Sequence, residues 1–300
     1  MRKSSVNETS SSDLQHVLAI DVGNTRLKWA LHDGAGWVAQ GACSTSDIIA
    51  PSTLVAEWAE LAPHLVPHLV PHFAPRSSPS LPAYLPNVRA MISTVADKSI
   101  TPVIMSALHA IGCEAIELVV PKALQCGVRN GYSDPTQLGS DRWMALIAAF
   151  GSMKHETTRS GAHVYPQLVV MAGTALTIDA LAADGEFLGG VIVPGATLMR
   201  AALKQGTARL PANRGDHELF PTNTDNAIAT GAIEACLGAM QRMHGALIRR
   251  SGVDRLSEVR CIASGGGLAV LAQHWATLSF AVAVHDNLVL DGLIRLAYEI

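Results

Sequence analysis

The chain has 300 residues, of which 49% are hydrophobic and 16% charged, enough apolar material for one large or two moderate globular domains. Its net charge of -3 and its aromatic content of 5% argue against a basic nucleic-acid surface, a base-stacking platform and a contact with anionic lipid. We therefore predict a protein that binds neither nucleic acid nor a membrane.

The cysteines and the N-terminal segment indicate the cellular compartment. The five cysteines are scattered and form no C-x-x-C pair, a pattern typical of a reducing cytosol and not of a disulfide framework or a structural zinc site. No segment reaches the roughly 18 consecutive apolar residues of a membrane helix, and the first residues lack the apolar core of a signal peptide. We predict a cytoplasmic protein in which residues 1–13 form a disordered tail.

The first part of the chain alternates apolar strands with turns. Strands are predicted at 17–21, 26–31, 37–42, 88–93 and 115–119, with helices after the third and fourth of them. A proline-rich stretch at about 61–86 interrupts this order, and its prolines are incompatible with a helix interior or a central strand. We predict a loop insertion there and not a metal site at its regularly spaced histidines.

The second part of the chain repeats this order after an apolar helix at 143–150 and a polar stretch at 152–163, which we interpret as a linker. Its strands are predicted at 168–171, 176–182, 187–192 and 259–263. Strand, glycine-containing turn, strand, turn, strand and then helix occur in both parts. This repetition predicts an α/β architecture of two related domains, residues 14–155 and 156–300.

The turn between the first two strands, in the sequence DVGNTRLK at 21–28, is the first candidate site. Gly23 allows a ligand to approach the backbone, and successive amides in such a turn can bind an anion. Asp21 is suited to a hydrated Mg²⁺, and Lys28 can offset phosphate charge. The alternative is an ordinary hairpin in which Asn24 supplies the turn and Lys28 is solvated. The motif alone does not decide between them.

A second turn of the same kind occurs at the matching position of the second part, at Gly173-Thr174. The hydroxyl and amide of Thr174 are suited to a terminal phosphate, whereas Thr177 and Asp179 are interpreted as stabilising the hairpin. The glycines at 265–267, which follow Ser264, could lie flat against a nucleotide or simply lead into a helix. The glycines at 189–195 are interpreted as structural.

The segment Gly139-Ser140-Asp141-Arg142 precedes the apolar helix at 143–150. Ser140 or Asp141 could cap that helix, where an acid is favoured in the first turn. The functional alternative makes Asp141 a general base towards a substrate hydroxyl and Arg142 a clamp for a substrate carboxylate. Tyr132 could line the same pocket.

Seven motifs in a fixed order resemble those of the type III pantothenate kinases. They are D-x-G-N-T-x-x-K at 21–28, Y-x₆-G-S-D-R at 132–142, G-T-A-x-T-x-D at 173–179, G-G-x-x-x-P-G at 189–195, T-x-x-A-I-x-x-G at 224–231, G-G at 265–266 and N-L-V-L-x-G-L at 287–293. Each motif is weak by itself, but the ordered set is specific. The resemblance extends from about residue 18 to the end of the chain.

The resemblance implies two tandem ribonuclease-H-like domains of the actin and Hsp70 type with a cleft between them, and a homodimer. It implies transfer of the γ-phosphate of ATP, with Mg²⁺, to the primary hydroxyl of pantothenate, the first step of coenzyme A synthesis. The nucleotide contacts it implies are Asp21, Val22, Gly23, Asn24, Thr25, Arg26, Leu27, Lys28 and Thr174, with Asp21 holding Mg²⁺ through water. The pantothenate contacts it implies are Tyr132, Gly139, Ser140, Asp141, Arg142 and Thr224, with Asp141 as the proton acceptor.

One position departs from the family pattern. Family members carry an aspartate, which helps to bind K⁺ or NH₄⁺, where this chain has Met171. A thioether cannot supply the hard oxygen ligand that such an ion requires, so the cation dependence is in question unless other oxygens hold the ion. Two alternatives stay open: a kinase for another small hydroxylated substrate, and a nucleotide-binding regulatory or transcription accessory protein of the same fold.

Overall fold

Residues 16–59, 61, 87–160, 163–206, 215–252 and 258–299 are described by the computed structural model. The predicted tail at 1–13 and, apart from Leu61, the predicted insertion at 61–86 lie outside these residues. The chain divides into two compact units, one ending at Val119 and the other beginning at Val120.

The first unit is built on a five-stranded sheet. Its elements are β1 (His16–Val22), β2 (Arg26–His32), β3 (Trp37–Ser44), α1 (Pro51–Ala59), β4 (Val88–Thr94), α2 (Ile100–Ala110) and β5 (Ala115–Leu118). The strand order is β3–β2–β1–β4–β5, in which β1, β2 and β3 are antiparallel neighbours and β4 and β5 run parallel to β1. The apolar residues of β1 are buried on both faces, as expected of a central strand, and share one core with α1 and α2.

The second unit contains a seven-stranded sheet. Its elements are β6 (Leu124–Gln125), β7 (Val128–Asn130), α3 (Ser140–Ser160), β8 (Gln167–Ala172), β9 (Ala175–Leu181), β10 (Glu186–Pro194), α4 (Ala196–Gly206), α5 (Thr224–Ser251), β11 (Arg260–Ser264), α6 (Leu268–Ala272), β12 (Val282–Val284) and α7 (Leu288–Tyr298). The strand order is β12–β11–β8–β9–β10–β7–β6.

The two sheets share one topology. In the second unit β8, β9 and β10 are antiparallel neighbours, and β11 and β12 run parallel to β8, as β4 and β5 do to β1. Three antiparallel strands followed by two parallel strands are the ribonuclease-H-like arrangement, so the predicted fold of two such α/β domains is confirmed.

The β6–β7 hairpin was not predicted from the sequence. It extends the second sheet beside β10, in a stretch that we interpreted only as a glycine-rich crossing. Its turn places Cys126 and Gly127 at φ of 46° and 78°, the left-handed geometry of a two-residue hairpin turn. Because cysteine is rare at such a position, the turn carries no strong sequence signal.

The interpretation of residues 152–163 as a linker is wrong, because α3 continues to Ser160. Met153 is buried on the inner side of the helix, and the ammonium of Lys154 lies 4.5 Å from the ring centroid of Phe150. The polar residues are therefore the solvated face of a helix whose other face packs on α7, β8 and β9. The compact units divide between Val119 and Val120, and the domain boundary at 155/156 stays a prediction.

Helices α3 and α7 pack unusually close at Gly292. A Cβ atom at this position would overlap the carbonyl oxygen of Met144. The glycine of the C-terminal N-L-V-L-x-G-L motif is thus required by helix packing.

None of the helices within the described ranges is both long and apolar enough to cross a bilayer.

His244 is a buried histidine of α5. It is fully buried, its Nε2 lies 3.0 Å from the carbonyl oxygen of Val259, and its ring stacks on Phe280 with 3.9 Å between centroids. Burial lowers the pKa of His244 below its ordinary value of 6.5, and the contact with the carbonyl offsets this only in part.

We expect the free energy of unfolding to decrease as the pH falls below 6.5, because the unfolded chain then binds a proton at His244 that the folded chain binds less readily. One such group contributes a slope of at most about 1.4 kcal/mol per pH unit. Urea unfolding of the unaltered chain and of His244→Gln, across about pH 5 to 7.5, measures this slope. The variant should show the shallower pH dependence, and equal slopes would contradict the assignment.

Candidate active site

The turn between β1 and β2 carries the predicted nucleotide-binding residues of the first unit. Asp21 and Lys28 lie opposite each other in the β1–β2 ladder, and both are partly exposed. At the tip, Asn24 and Thr25 are exposed, and the amide of Gly23 donates to the carbonyl oxygen of Arg26 at 3.0 Å. The segment is therefore a β-hairpin with a polar tip, in which an acidic and a basic residue lie opposite each other on the two strands near the turn.

Thr45 anchors this turn and was not predicted from the sequence. Its hydroxyl donates to the carbonyl oxygen of Gly23 at 2.8 Å, and its amide donates to that of Thr25 at 3.0 Å. Both bonds use carbonyl groups of the turn and therefore leave its amides unused by Thr45. A threonine 22 residues away from Gly23 gives no local signal of this role.

The turn between β8 and β9, at Gly173-Thr174, is the corresponding feature of the second unit. The amide of Gly195 donates to the carbonyl oxygen of Thr174 at 2.9 Å, and the amide of Gly267 donates to that of Ala172 at 2.9 Å. Cβ atoms at Gly195 and Gly265 would overlap the backbone of the same turn. The structure thus brings three glycine segments of the sequence together around Thr174.

The space beside this turn is open. Gly173 and Thr174 are exposed, and a Cβ at Gly173 would meet only the carbonyl oxygen of Ala175, at 3.8 Å. Packing therefore does not require a glycine there, whereas the close approach of a ligand would use the room that it leaves. This local geometry fits a phosphate group.

The residues around the first hairpin turn also fit a Mg²⁺ ion that keeps most of its water ligands. Within the described ranges no three histidine, cysteine, aspartate or glutamate side chains are placed to hold a metal ion together. Mg²⁺ commonly binds through one carboxylate, waters and substrate phosphates, and the half-buried Asp21 offers such a carboxylate.

Met171 occupies in the second unit the position that Asp21 has in the first. Asp21 lies opposite Ser93 of the parallel strand β4, and Met171 lies opposite Ser264 of the parallel strand β11. Each stands two residues before the glycine of its hairpin turn. The two related sites therefore differ in a carboxylate that only the first unit has.

Asp141 lies in the first turn of α3. The carbonyl oxygen of Gly139 accepts the amide of Trp143 at 3.0 Å, and the Asp141 carboxylate accepts the amide of Arg142 at 2.7 Å. Burial raises the pKa of Asp141, and the bond from the Arg142 amide and the Arg142 charge offset this only in part. The carboxylate is thus both a first-turn acid of the helix and a stronger base than a solvated aspartate.

Arg142 already holds a carboxylate, that of Asp179. Its Nε donates to Asp179 Oδ2 at 3.0 Å, its Nη2 donates to Oδ1, and its Nη1 donates to the hydroxyl of Tyr132 at 3.2 Å. Arg142 is 5% exposed and Asp179 is fully buried. Burial by itself lowers the pKa of Arg142, but the bonds to Asp179 outweigh it and raise the pKa above its ordinary value.

Aromatic rings enclose the same guanidinium. Its central carbon lies 5.9 Å from the ring centroid of Tyr132 and 5.8 Å from that of Phe187, and the two rings lie 5.4 Å apart. The structure therefore joins the predicted residues Tyr132, Asp141 and Arg142 with two residues that we did not predict for the site. Asp179 belongs to the motif at 173–179 and could have been selected from it; Phe187 has no comparable signal.

Thr224 is the first residue of α5. The neighbouring Asn223 caps the helix, because its side chain accepts the amide of Asn226 at 2.9 Å. Thr224 is exposed and lines a groove of about 600 Å³ between α4 and α5, together with Leu203 and Ile228. Among the described residues, the hydrogen bonds around Arg142 do not include Thr224.

Comparison with known proteins identifies the family. The family model for type III pantothenate kinases matches residues 17–246. A type III pantothenate kinase of Methylibium petroleiphilum is 40% identical over 292 residues, covering 94% of this chain and 98% of the relative. One of Dechloromonas aromatica is 38% identical over 285 residues, covering 94% and 99%.

The chain belongs to the type III pantothenate kinase family. The predictions of this family and of a kinase are thereby confirmed, and a kinase of this family uses ATP and a divalent metal ion. A solved structure from Campylobacter jejuni, described as a Baf family transcriptional activator, is also similar in fold. It has a TM-score of 0.50 and 15% identity, and the likeness covers 94% of this chain and 98% of that one. At this identity the likeness shows the fold alone.

Proposed function

We propose that the chain transfers the γ-phosphate of ATP to the primary hydroxyl of pantothenate, the first step of coenzyme A biosynthesis. The observation that carries the proposal is the half-buried Asp141, whose pKa is raised by burial, in a chain of the type III pantothenate kinase family. The raised pKa supports a role as general base, because a carboxylate whose pKa lies closer to 7 accepts a proton more readily at the pH of the cell.

Asp141 is the proposed proton acceptor. As the hydroxyl oxygen of pantothenate forms its bond to the γ-phosphorus, the bond from that phosphorus to the β,γ-bridging oxygen breaks and ADP leaves. The hydroxyl proton passes to the Asp141 carboxylate. Because the transition state of phosphoryl transfer is loose, the proton moves late, and the main contributions are position and charge neutralisation.

Residues 21–28 and Thr174 are the proposed contacts for ATP. The amides at the tip of the first hairpin and the open backbone at Gly173-Thr174 would bind phosphate oxygens, and Lys28 would offset their charge. Asp21 would hold Mg²⁺ through water, and the ion would supply neutralisation of the charge on the transferred phosphoryl group.

Pantothenate is proposed to contact Tyr132, Gly139, Ser140, Asp141, Arg142 and Thr224. Within the described part of the chain, Arg142 uses three of its five N–H groups, so two can serve the substrate carboxylate. Residues 139–142 bring the base and this cation to adjacent positions of one helical turn, which suits a substrate with a hydroxyl and a carboxylate.

Three further features are proposed. Since a thioether replaces the carboxylate at Met171, we propose that no K⁺ or NH₄⁺ ion is held by this side chain. We propose a homodimer, for which Leu219 and Phe220 offer an apolar surface: they are 72% and 85% exposed and directly precede Pro221, which lines the groove of α4 and α5. We propose a cytoplasmic location, where ATP and reduced cysteines are found.

The test is ADP release by the purified full chain with MgATP, followed by a coupled assay with and without pantothenate. We expect release that depends on pantothenate and continues when Na⁺ replaces K⁺ and NH₄⁺. Release with another hydroxylated substrate but not with pantothenate would overturn the proposed substrate. A strict requirement for K⁺ would show that oxygens other than those of residue 171 hold the ion.

A further inference from the structure

Asp179 is a buried carboxylate to which the reaction proposed above gives no task. We propose that it is a positioning residue for substrate binding: it fixes the guanidinium of Arg142 so that the two remaining N–H groups of that arginine receive the carboxylate of pantothenate. The inference rests on the proposed function. It adds that Asp179 is the residue on which the selection of a substrate with a carboxylate depends.

The hydrogen bonds of Arg142 define which donors remain. Asp179 accepts from Nε and from one N–H of Nη2, and the hydroxyl of Tyr132 accepts one N–H of Nη1. A guanidinium has five N–H groups, so the hydrogen bonds among the described residues leave one N–H unused on each terminal nitrogen. When Tyr132 takes the Nη1 N–H on the Cδ side, the two remaining donors face the end of the side chain and can form a second bidentate pair with a carboxylate there.

The surroundings of Arg142 allow it little freedom. Rings of Tyr132 and Phe187 lie within 5.9 Å of the guanidinium carbon, and only 5% of the residue is exposed. Asp179 accepts two hydrogen bonds from Arg142 and carries the opposite charge. Its contact is therefore the one that sets the orientation of the guanidinium plane.

Gly190 provides the room in which the Asp179 carboxylate lies. The two residues are opposite each other in the β9–β10 ladder, and a Cβ at Gly190 would overlap Asp179 Oδ1 and approach the carbonyl oxygen of Ile178 to 2.6 Å. The second glycine of the motif at 189–195, which we interpreted as structural, thus makes space for this one charged group.

A purely structural role for Asp179 would be to balance the buried charge of Arg142. That role predicts lower stability on substitution and no selective effect on one substrate. A positioning role predicts a selective effect, because the end of Arg142 would shift relative to pantothenate and the nucleotide contacts would not change.

The test is the steady-state kinetics of Asp179→Asn in the full chain. We expect KM for pantothenate to rise roughly 10- to 100-fold and KM for ATP to stay within about twofold, as for the loss of an oriented charged hydrogen bond to one substrate. Asp184→Asn is the matched control: it also removes an aspartate–arginine pair of the second unit, but an exposed one, and should leave both KM values unchanged.

The same experiment in an Arg142→Gln background tests whether Asp179 acts through Arg142. Arg142→Gln alone should raise KM for pantothenate, and adding Asp179→Asn should change it by less than about twofold. The double variant should also unfold at a higher temperature than Arg142→Gln alone, since it no longer buries an unpaired carboxylate. Multiplicative effects of the two substitutions on KM would overturn the inference.

Asp179→Glu is the second variant if Asp179→Asn does not fold. It keeps the charge but is longer by one methylene, so it displaces the guanidinium, and KM for pantothenate should again rise selectively. Unchanged KM for pantothenate, or equal rises for both substrates, in a folded variant of an active enzyme overturns the positioning role and leaves the proposed function intact. An unaltered enzyme that does not phosphorylate pantothenate overturns both.

Discussion

Replacing Asp141 by asparagine is expected to lower kcat for pantothenate phosphorylation by about 10²- to 10⁴-fold, the usual contribution of a general base. The amide of asparagine is close in shape to the carboxylate but accepts no proton, so both KM values should change little. Because burial disfavours the charged form of Asp141, the neutral amide should leave the free energy of unfolding unchanged or slightly higher. The coupled ADP-release assay and thermal unfolding of the same preparations measure the two effects.

The pH dependence gives a second measure of the same residue. Asp141 must be ionised to accept a proton, and burial raises its pKa above the ordinary 3.8, so the acid limb of kcat should lie above pH 3.8 and be absent from the residual activity of Asp141→Asn. Asp184→Asn again serves as the control. A folded Asp141→Asn variant with full activity would refute the role of base, and full cellular function of an inactive variant would favour a regulatory protein.

Replacing Gly292 by alanine is expected to have the largest effect on stability. The new Cβ would overlap the carbonyl oxygen of Met144, a backbone atom that cannot move aside by a change of rotamer. Helices α3 and α7 would have to separate, at a cost of about 1–3 kcal/mol or more. Urea unfolding measures the change, and a loss of activity should accompany it because α3 also carries Asp141.

Gly238→Ala is the matched control for that substitution. Gly238 is exposed within α5, and nothing lies within 4 Å of a Cβ placed there. Alanine at this position should stabilise the chain by about 0.5–1 kcal/mol, because glycine is a poor helix former. If Gly292→Ala were as stable as Gly238→Ala, the close packing of α3 on α7 would be refuted.

Most strands, though not β6, β7 and β12, could be located along the chain from the sequence because each of them has a local signal. The apolar runs of β1 and β8 each end in a glycine turn. They allowed us to predict both hairpins and the repetition of the fold. The β6–β7 hairpin was missed because its strands have two and three residues and Cys126 occupies a turn position normally taken by asparagine or glycine. The end of α3 was missed because a solvated helical face and a linker are both polar.

The site was accessible only in part. Asp141 and Arg142 were predicted because they belong to the motif Y-x₆-G-S-D-R, whose resemblance to the family implies their roles. The pair of Arg142 and Asp179 joins residues 37 apart in the sequence, and Thr45 reaches its turn across 22 residues. No spacing rule connects such residues, since their contact depends on how a helix and a sheet pack. Asp179 was therefore interpreted as a local stabiliser of its hairpin.

The most direct test of the proposed function is identification of the product. The full chain is incubated with MgATP and pantothenate, and the small molecules are analysed by mass spectrometry and phosphorus NMR. The predicted result is ADP and an equal amount of pantothenate carrying one phosphoryl group on its primary hydroxyl, both reduced about 10²- to 10⁴-fold when Asp141→Asn replaces the unaltered chain for the same time. Unmodified pantothenate, with ATP either intact or hydrolysed to free phosphate, would contradict it.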